Sequence, residues 1–358
     1  MIRVHLLSDE LGSQNTLAFL APIFCNWERI RQRGIELRLF YRADPDFGEC
    51  DVVGINSKFW AGPWTNNRNT ALVLLERLRR AGVRIVYFDR SSTPGSLLAE
   101  LLPLVDQYYK TAVYADRSNY LRSVYCNRLF SEFYHRANGV DDGMTVSIAL
   151  PSEQDLAKLG VAWNTGLANY SMFGPRLGSL YRHFPWRGWF SPPWHFPSPS
   201  ARRQVPLSCR MNTTYKYASV AYQRLEAARL LSQYRRTNRI SKPSYFRELR
   251  NSRIIVSPFG YSEINYKDFE TFLNGAILLK PDMSHLETWP NYFRPNETYV
   301  PIRWSLFDLQ QRAEEILSSY GSFIEIARQG QSLYRWHIAD EDGQEAFAER
   351  FADMVGSA

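Results

Sequence analysis

The stretch from residue 253 to residue 282 constrains the fold of this chain more than any other. It begins with an apolar, β-branched run at residues 253–256, which predicts a buried parallel strand that a Pro-x-Gly turn ends. A helix is predicted to start near Ser262 or Glu263, and a second apolar run follows at residues 276–279. This order predicts a βαβ unit, in which the loop after the first strand faces a ligand crevice.

Two glutamates stand out in this unit. Glu263 is expected at the helix N-terminus, where the helix dipole favours an anionic group such as a diphosphate. Glu270 follows two turns later, about 10 Å along the axis at roughly 1.5 Å per residue. The two carboxylates could therefore hold different hydroxyls of one extended ligand. The alternative is a helix that carries capping or solvated glutamates.

The pattern as a whole resembles a known family. Gly260, Glu263 and Glu270, followed by a small-residue turn and an apolar strand ending in Lys280-Pro281-Asp282, resemble the carboxyl-terminal domain of GT-B glycosyltransferases, near the glycosyl transferase family 1 and exostosin-like groups. The resemblance covers residues 205–320, and the spacing of its two glutamates is one residue shorter than in the best-known form of the motif. Further matching positions are Arg210, Tyr215, Gln223, Arg224, Tyr299, Val300, Pro301, Asp308 and Leu309.

The resemblance implies an α/β fold of the GT-B class, with two Rossmann-like domains whose parallel sheets face each other across a crevice. It places the donor sugar on Glu263 and the donor ribose on Glu270. Arg210 is expected at a strand end facing the crevice, suited to a donor phosphate, although a surface ion pair is an equal alternative. The donor-binding candidates are Arg210, Lys216, Gly260, Tyr261, Glu263, Glu270 and His285.

The chain length fits this expectation, because 358 residues are long for one core and normal for two domains. An amino-terminal Rossmann-like acceptor domain and a carboxyl-terminal donor domain are predicted. An aromatic and proline-rich connection would join them, and a last helix could pack back on the amino-terminal domain. The predicted boundaries are 1–165, 166–205 for the connection, 206–335, and 336–358 for the last helix.

The amino-terminal half alternates between strand and helix patterns, which predicts a parallel, doubly wound sheet. Pro22 is expected to kink the first helix or to mark its true first turn. The predicted strands are residues 3–7, 36–40, 51–55, 83–88 and 105–110, and the predicted helices are residues 15–32 and 67–81; a further helix is predicted at residues 215–234.

The loops after the first and fourth of these strands carry acids. If the reaction inverts the anomeric centre, a carboxylate must deprotonate the acceptor hydroxyl, and the candidates are Asp9, Glu10 and Asp89. If the reaction retains the configuration, no such base is needed. The alternative for each acid is a helix cap or a turn residue.

The segment from residue 170 to residue 206 is rich in tryptophan and proline, and neither a regular strand nor a regular helix is predicted there. The primary interpretation is an ordered interdomain connection pinned by aromatic side chains. A carbohydrate-binding platform or a membrane-interface anchor is the functional alternative, since tryptophan joins a flat apolar face to a polar group.

Charge and cysteine content narrow the class of protein. The net charge of +7 fits anionic ligands or an anionic membrane surface as well as ordinary solvated helix faces, and no nucleic-acid-binding pattern occurs. Cys25, Cys50, Cys126 and Cys209 lie too far apart in sequence for a metal motif, which favours a reducing cytoplasm. No signal peptide or long apolar stretch is visible, so a cytoplasmic protein with optional peripheral membrane contact is expected.

The sequence therefore predicts a metal-independent glycosyltransferase without a cofactor, with a nucleotide-sugar as donor substrate. The acceptor implied by the resemblance is a saccharide or a lipid-linked saccharide of a bacterial surface polysaccharide. Two alternatives stay open: a non-catalytic nucleotide-sugar-binding protein and a sugar-nucleotide epimerase of the same fold. The donor, the acceptor, the stereochemical outcome and the oligomeric state are left open by the residues.

Overall fold

The computed structural model describes residues 1–9, 13–60, 64–144, 149–234 and 238–356. The strands of its amino-terminal half are β1 (Ile2–Leu7), β2 (Ile35–Phe40), β3 (Val52–Asn56), β4 (Arg84–Asp89), β5 (Gln107–Lys110), β6 (Ala112–Tyr114) and β7 (Leu159–Val161). Those of the carboxyl-terminal half are β8 (Val205–Ser208), β9 (Ser252–Val256), β10 (Ile277–Pro281), β11 (Leu286–Thr288) and β12 (Val300–Ile302).

The helices surround these strands. They are α1 (Gln14–Cys25), α2 (Trp27–Gln32), α3 (Trp64–Arg80), α4 (Leu129–Asn138), α5 (Glu153–Leu156), α6 (Gly174–Ser179), α7 (Ala218–Leu230), α8 (Lys242–Asn251), α9 (Tyr266–Asn274), α10 (Leu309–Ser318), α11 (Tyr320–Ala339) and α12 (Glu341–Gly356).

The amino-terminal sheet has six parallel strands in the order β2-β1-β3-β4-β5-β7. The chain winds outward in both directions from the boundary between β1 and β3, so this boundary is the point where the strand order reverses. In open α/β sheets, ligands bind in the crevice beyond the carboxyl ends of the strands at such a point. The predicted doubly wound parallel sheet is confirmed.

The carboxyl-terminal sheet has four parallel strands in the order β12-β10-β9-β8. Ile254 pairs with Ile277 in the ladder between β9 and β10, and both strands are buried on both faces along most of their length. The predicted strand, loop, helix and strand in this region are confirmed as β9, a glycine loop, α9 and β10.

Two features join the halves. β11 pairs antiparallel with β6, with Leu286 opposite Tyr114, and forms a two-stranded ribbon between the sheets. α12 packs against the amino-terminal half, where the Phe347 ring lies 5.3 Å from Trp163 and Glu345 forms an ion pair with Arg33 at 2.6 Å. The predicted domain boundaries themselves stay predictions.

The structure corrects three sequence expectations. The helix predicted at residues 15–32 divides at Asn26, and Pro22 lies inside α1, because the continuous burial of residues 16–24 holds that stretch helical through the proline. α7 is shorter than the predicted helix at residues 215–234. The aromatic segment contains the short helix α6, whose Pro175 occupies the first turn, where a missing N–H costs nothing.

Candidate functional site

A crevice of about 360 Å³ lies between the two sheets. Its walls come from loops that follow the carboxyl ends of strands in both sheets and from the adjoining parts of α1, β6, α7 and α9. On the amino-terminal side these are Asn15, Arg90, Ser91, Ser92, Pro94, Thr111, Ala112, Asn164 and Thr165, and on the carboxyl-terminal side Tyr215, Arg224, Gly260, Tyr261, Ser262, Ile264, Asn265 and Tyr266. Two of the predicted donor-binding residues, Gly260 and Tyr261, thus line the crevice.

The loop between β9 and α9 is compact because of Gly260. A Cβ atom at this position would lie 2.6 Å from Oδ1 of Asn265, so a side chain there would displace the loop. Asn265 itself donates from Nδ2 to the carbonyl of Pro258 at 3.0 Å, which ties the end of the loop to its beginning. The glycine is therefore required by a close approach within the loop.

α9 begins at Tyr266, not near Ser262 or Glu263 as the sequence indicated. Asn265 is the N-cap and forms a capping box with Asp268, and asparagine is a better N-cap than glutamate. Asp268 is fully buried, accepts a hydrogen bond from Ser257 Oγ at 2.6 Å, and pairs with Lys280 Nζ at 3.1 Å. Lys280 of the Lys-Pro-Asp motif therefore stabilises the capping residue Asp268 through a buried ion pair.

The glycine loop offers backbone donors. The N–H groups of Tyr261, Ser262 and Glu263 make no hydrogen bond within the part of the chain that the structure describes. The first turn of α9 follows directly, and its N–H groups carry the positive end of the helix dipole. The Tyr261 ring is held by Tyr217 at 4.9 Å and by the Arg128 guanidinium at 5.0 Å. This wall is suited to an anionic ligand.

Arg224 of α7 supplies a cation on the same wall. Its Nε donates to Phe259 O at 3.2 Å, its Nη1 donates to Asn212 O at 3.0 Å, and its guanidinium lies 4.9 Å over the Tyr215 ring. Nη2 has no hydrogen-bond partner among the described residues and lies 3.3 Å from the position of a Cβ on Gly260. Burial lowers the pKa of Arg224. The sequence marked Arg224 only as a match to the family.

Arg210, the predicted phosphate ligand, is used elsewhere. Its guanidinium binds the Glu248 carboxylate of α8, with Nη2 and Oε2 2.6 Å apart, and its Nη1 donates to Asn238 O at 2.9 Å. Lys216 is exposed, and its Nζ lies 5.5 Å over the Tyr217 ring. Neither residue is among the described residues that line the crevice. The Glu248 carboxylate of α8 explains the placement of Arg210, because it is distant from Arg210 in sequence and close to it only in the fold.

Glu263 and His285 lie together behind the crevice wall. Glu263 is fully buried, and neither of its carboxylate oxygens has a hydrogen-bond partner in the structure. His285 Nε2 is 3.7 Å from Glu263 Oε1, and both ring nitrogens of His285 are likewise buried without a partner. The His285 ring meets the Trp304 ring edge to face at 4.7 Å.

Glu270 faces away from the crevice. It is half-buried against α8, where Tyr245 OH donates to its Oε2 at 2.8 Å. Burial raises the pKa of Glu270, and this outweighs the hydrogen bond from Tyr245 and the charges of Lys267 and Lys242. The expected pair of acceptors on one ligand is therefore not formed, because Glu263 precedes the helix and Glu270 points to a neighbouring helix.

Asp89, one of the predicted bases, belongs to a buried ion pair. Its carboxylate accepts from Lys110 Nζ at 2.6 Å, Tyr108 OH at 2.8 Å and Ser91 N at 2.7 Å. Burial alone would raise the pKa of Asp89, but the charge and hydrogen bonds of Lys110 and its other donors hold it below the ordinary value. These contacts give Asp89 a structural role.

Asp9, a second candidate base, follows the end of β1. Asp9 is partly exposed and accepts a hydrogen bond from the hydroxyl of Thr16, with Oδ1 at 2.8 Å and Oδ2 at 2.6 Å. Ser8 Oγ also donates to its Oδ1 at 3.3 Å, and the carboxylate keeps acceptor capacity beyond these two hydroxyl donors. Glu10 lies outside the described residues. Of the described candidate bases, Asp9 is the one not committed to a buried cation.

Within the described ranges, no group of three or more His, Cys, Asp or Glu side chains is close enough together to bind a metal ion. Across those same ranges, no helix combines the length and the apolar character needed to cross a membrane.

No family model and no curated protein matches this chain. Among solved structures, the Anabaena protein HepE in complex with UDP-glucose shares 9% identity over 99% of this chain and 100% of its own, with a TM-score of 0.44. A glycosyltransferase from Rickettsia africae shares 10% identity over 100% of this chain and 99% of its own, with a TM-score of 0.45. WaaG, a glycosyltransferase involved in lipopolysaccharide biosynthesis, shares 13% identity over 100% of both chains, with a TM-score of 0.44. Matches with such low sequence identities and TM-scores do not support a conclusion about activity.

The strand order and the lining of the crevice establish the architecture directly. Two parallel α/β sheets of Rossmann-like topology direct the carboxyl ends of their strands toward one crevice. The chain has the predicted GT-B arrangement.

Proposed function

We propose that the protein is a glycosyltransferase that binds a nucleotide-activated sugar in the interdomain crevice. The observation that carries the proposal is the set of unused donors on the carboxyl-terminal wall. Arg224, Tyr261 and Ser262 line the crevice beside the start of α9, and Arg224 Nη2 and the N–H groups of Tyr261 and Ser262 have no partner among the described residues. A diphosphate requires several donors and a compensating charge, and this wall supplies both.

The donor would occupy the carboxyl-terminal wall and the acceptor the amino-terminal wall. Closure of the crevice would exclude water, which otherwise hydrolyses an activated sugar. Asp9 is the proposed base if the reaction inverts the anomeric centre, since its carboxylate lies at the carboxyl end of β1 and is bonded only to the neutral hydroxyls of Ser8 and Thr16 among the described residues. The proposed acceptor is a saccharide or lipid-linked saccharide of a bacterial surface polysaccharide, as the resemblance implies.

The donor site can be tested by calorimetric titration with UDP and with GDP. Wild-type protein should bind at least one of them, and Arg224→Met should weaken that affinity tenfold to a hundredfold, about 1.4 to 2.7 kcal/mol. Arg229→Met is the matched control, because Arg229 lies on the same helix, is exposed and pairs with Glu226. Equal affinity in wild type and Arg224→Met would remove the proposed phosphate site.

Turnover separates the remaining alternatives. Wild-type protein incubated with a sugar nucleotide and no acceptor should release nucleotide only slowly, and NMR should detect no epimer. Epimer formation would identify an epimerase, while tight binding without transfer to any saccharide would identify a non-catalytic binding protein. We further propose that transfer is metal-independent, with Arg224 and the loop N–H groups stabilising the leaving diphosphate. Loss of activity in excess chelator, restored by a divalent ion, would contradict this.

We also propose a peripheral membrane contact through the segment from residue 173 to residue 202. Trp194 is 92% exposed, Phe184 65% and Trp186 62%, so large apolar side chains project from one segment. No Asp or Glu occurs between residues 156 and 225, so nothing within this stretch neutralises its exposed cations. Exposed aromatic side chains among arginines, of which Arg187 is paired with Glu28 at 4.0 Å, are suited to an anionic membrane surface. The exposed arginines are Arg176, Arg182, Arg187 and Arg202.

Vesicle sedimentation tests this contact. Wild-type protein should bind vesicles that contain phosphatidylglycerol and leave neutral phosphatidylcholine vesicles in solution. The double variant Trp186→Ser/Trp194→Ser should lose binding, whereas Phe307→Ser, which removes another exposed aromatic outside the segment, should retain it. Binding of equal strength in the double variant would exclude the segment as the anchor.

A further inference from the structure

We propose that Arg90 binds an anionic group of the acceptor, so that the acceptor is a sugar carrying a phosphate or a carboxylate. This inference rests on the proposed glycosyltransferase function and names its acceptor class. Arg90 directly follows β4, the strand next to β3 in the middle of the amino-terminal sheet, and it lines the crevice. Its side chain thus stands on the wall opposite Arg224.

The Arg90 guanidinium is buried and short of acceptors. The residue is 6% exposed, and of its three nitrogens only Nη2 has a partner, the Asn15 carbonyl oxygen at 3.2 Å. Nε and Nη1 are buried without any hydrogen-bond partner. No carboxylate of the described residues forms an ion pair with it. A buried cation without a counter-ion costs several kcal/mol, so an anion placed here would relieve an existing penalty.

Aromatic side chains surround the Arg90 guanidinium. The guanidinium lies 4.8 Å over the Phe19 ring, and the neighbouring Tyr170 and Tyr266 rings stack at 5.0 Å. Burial lowers the pKa of Arg90 to about 10, so the side chain is a cation at neutral pH.

The adjacent acid does not neutralise Arg90. Asp89 is bound by Lys110, Tyr108 and Ser91, and its charge is offset by the Lys110 ammonium at 2.6 Å. Asp89 and Lys110 offset each other, and the Arg90 guanidinium has no paired carboxylate among the described residues. The ligand that completes this site is an anionic oxygen group.

The position on the amino-terminal wall assigns this anion to the acceptor. The donor wall already carries the Arg224 guanidinium and the unpaired loop N–H groups, so a diphosphate held there is provided with charge and donors. Arg90 is contributed by the other sheet. A phosphate and a carboxylate share the required chemistry, and the two probes below distinguish them.

The test uses full-length protein saturated with the nucleotide that it binds, titrated with glucose, glucose 6-phosphate and glucuronate. Wild type should bind at least one anionic sugar tenfold or more tightly than glucose, and the better of the two identifies phosphate or carboxylate. Arg90→Met should lose this preference while its affinity for the nucleotide stays unchanged. Arg182→Met, which removes an exposed arginine of the aromatic segment, should keep the preference.

Folding and function are separable in this experiment. Because Arg90→Met removes a buried cation that lacks a counter-ion, its melting temperature without ligand should equal or exceed that of wild type. Arg90→Lys keeps the charge and should retain part of the preference. Equal affinities of wild type for glucose and both anionic sugars would overturn the inference.

A weaker nucleotide affinity in Arg90→Met would overturn it as well, because Arg90 would then belong to the donor site. If wild type binds no nucleotide, the donor proposal fails. The three sugars are then titrated without nucleotide, and their relative affinities still decide the role of Arg90.

Discussion

Asp89→Asn should destabilise the protein severely, because it breaks a buried ion pair. The side chains of Asp89 and Lys110 are 4% and 1% exposed, and the Asp89 carboxylate accepts hydrogen bonds from Lys110, Tyr108 and Ser91. In the variant, the amide nitrogen would replace one acceptor oxygen by a donor, and the Lys110 ammonium would be left buried without a counter-charge.

The size of the effect follows from these contacts. Removing one partner of a buried ion pair costs about 3 to 5 kcal/mol, and the loss of an acceptor for Tyr108 or Ser91 places this substitution toward the upper end. The double variant Asp89→Asn/Lys110→Met also removes the stranded cation, so it should recover part of the loss. The sum of the free-energy losses of Asp89→Asn and Lys110→Met alone should therefore exceed the loss of the double variant by roughly 2 kcal/mol or more.

Urea unfolding at neutral pH, followed by circular dichroism, measures these free energies. Asp46→Asn, at an exposed position of the same half, is the control and should stay within about 0.5 kcal/mol of wild type. Since the pKa of Asp89 is below its ordinary value, its contribution is present above pH 4 and is lost as the pH falls further. The gap between wild type and Asp89→Asn should narrow at acid pH. An Asp89→Asn protein with wild-type stability but no transferase activity would refute the ion-pair reasoning and restore Asp89 as the base.

Three further outcomes are expected. Gly260→Ala should weaken nucleotide binding at least tenfold, because the added Cβ displaces the loop, whereas Gly321→Ala, with open space around its Cβ position, should bind normally in the same titration. Burial lowers the pKa of His337 to about 4, so wild-type melting temperatures should fall as the pH decreases from 6.5 toward 4, and His337→Gln should flatten this slope. Burial raises the pKa of Glu270, and Tyr245 can donate to the amide oxygen of a glutamine there. Glu270→Gln should therefore leave the unfolding free energy at pH 7 unchanged or higher. A loss above about 2 kcal/mol in urea unfolding would contradict this.

Local sequence patterns were sufficient for the backbone of the donor-side unit. The β-branched run that became β9, the apolar run that became β10 and the glycine between them specify strand, loop and strand without distant contacts. The alternation of strands and helices likewise predicted the parallel sheet of the amino-terminal half. The start of α9 was misplaced near Ser262 or Glu263, because the capping box that Asn265 forms with Asp268 sets the first helical residue at Tyr266.

The chemical roles of the side chains were decided by tertiary contacts. The sequence favoured Arg210 over Arg224 as the phosphate ligand, yet Glu248 on α8 engages Arg210, and Arg224 lines the crevice. Asp89 and Arg90 are neighbours in the chain, but Lys110 on the adjacent strand offsets only the acid and leaves the cation unpaired. The sequence determined the strands and most helices to within a few residues of their ends, because these elements depend mainly on nearby residues. Charge pairing and burial depend on residues distant in the chain, so only the folded structure decided which groups are free to bind a ligand.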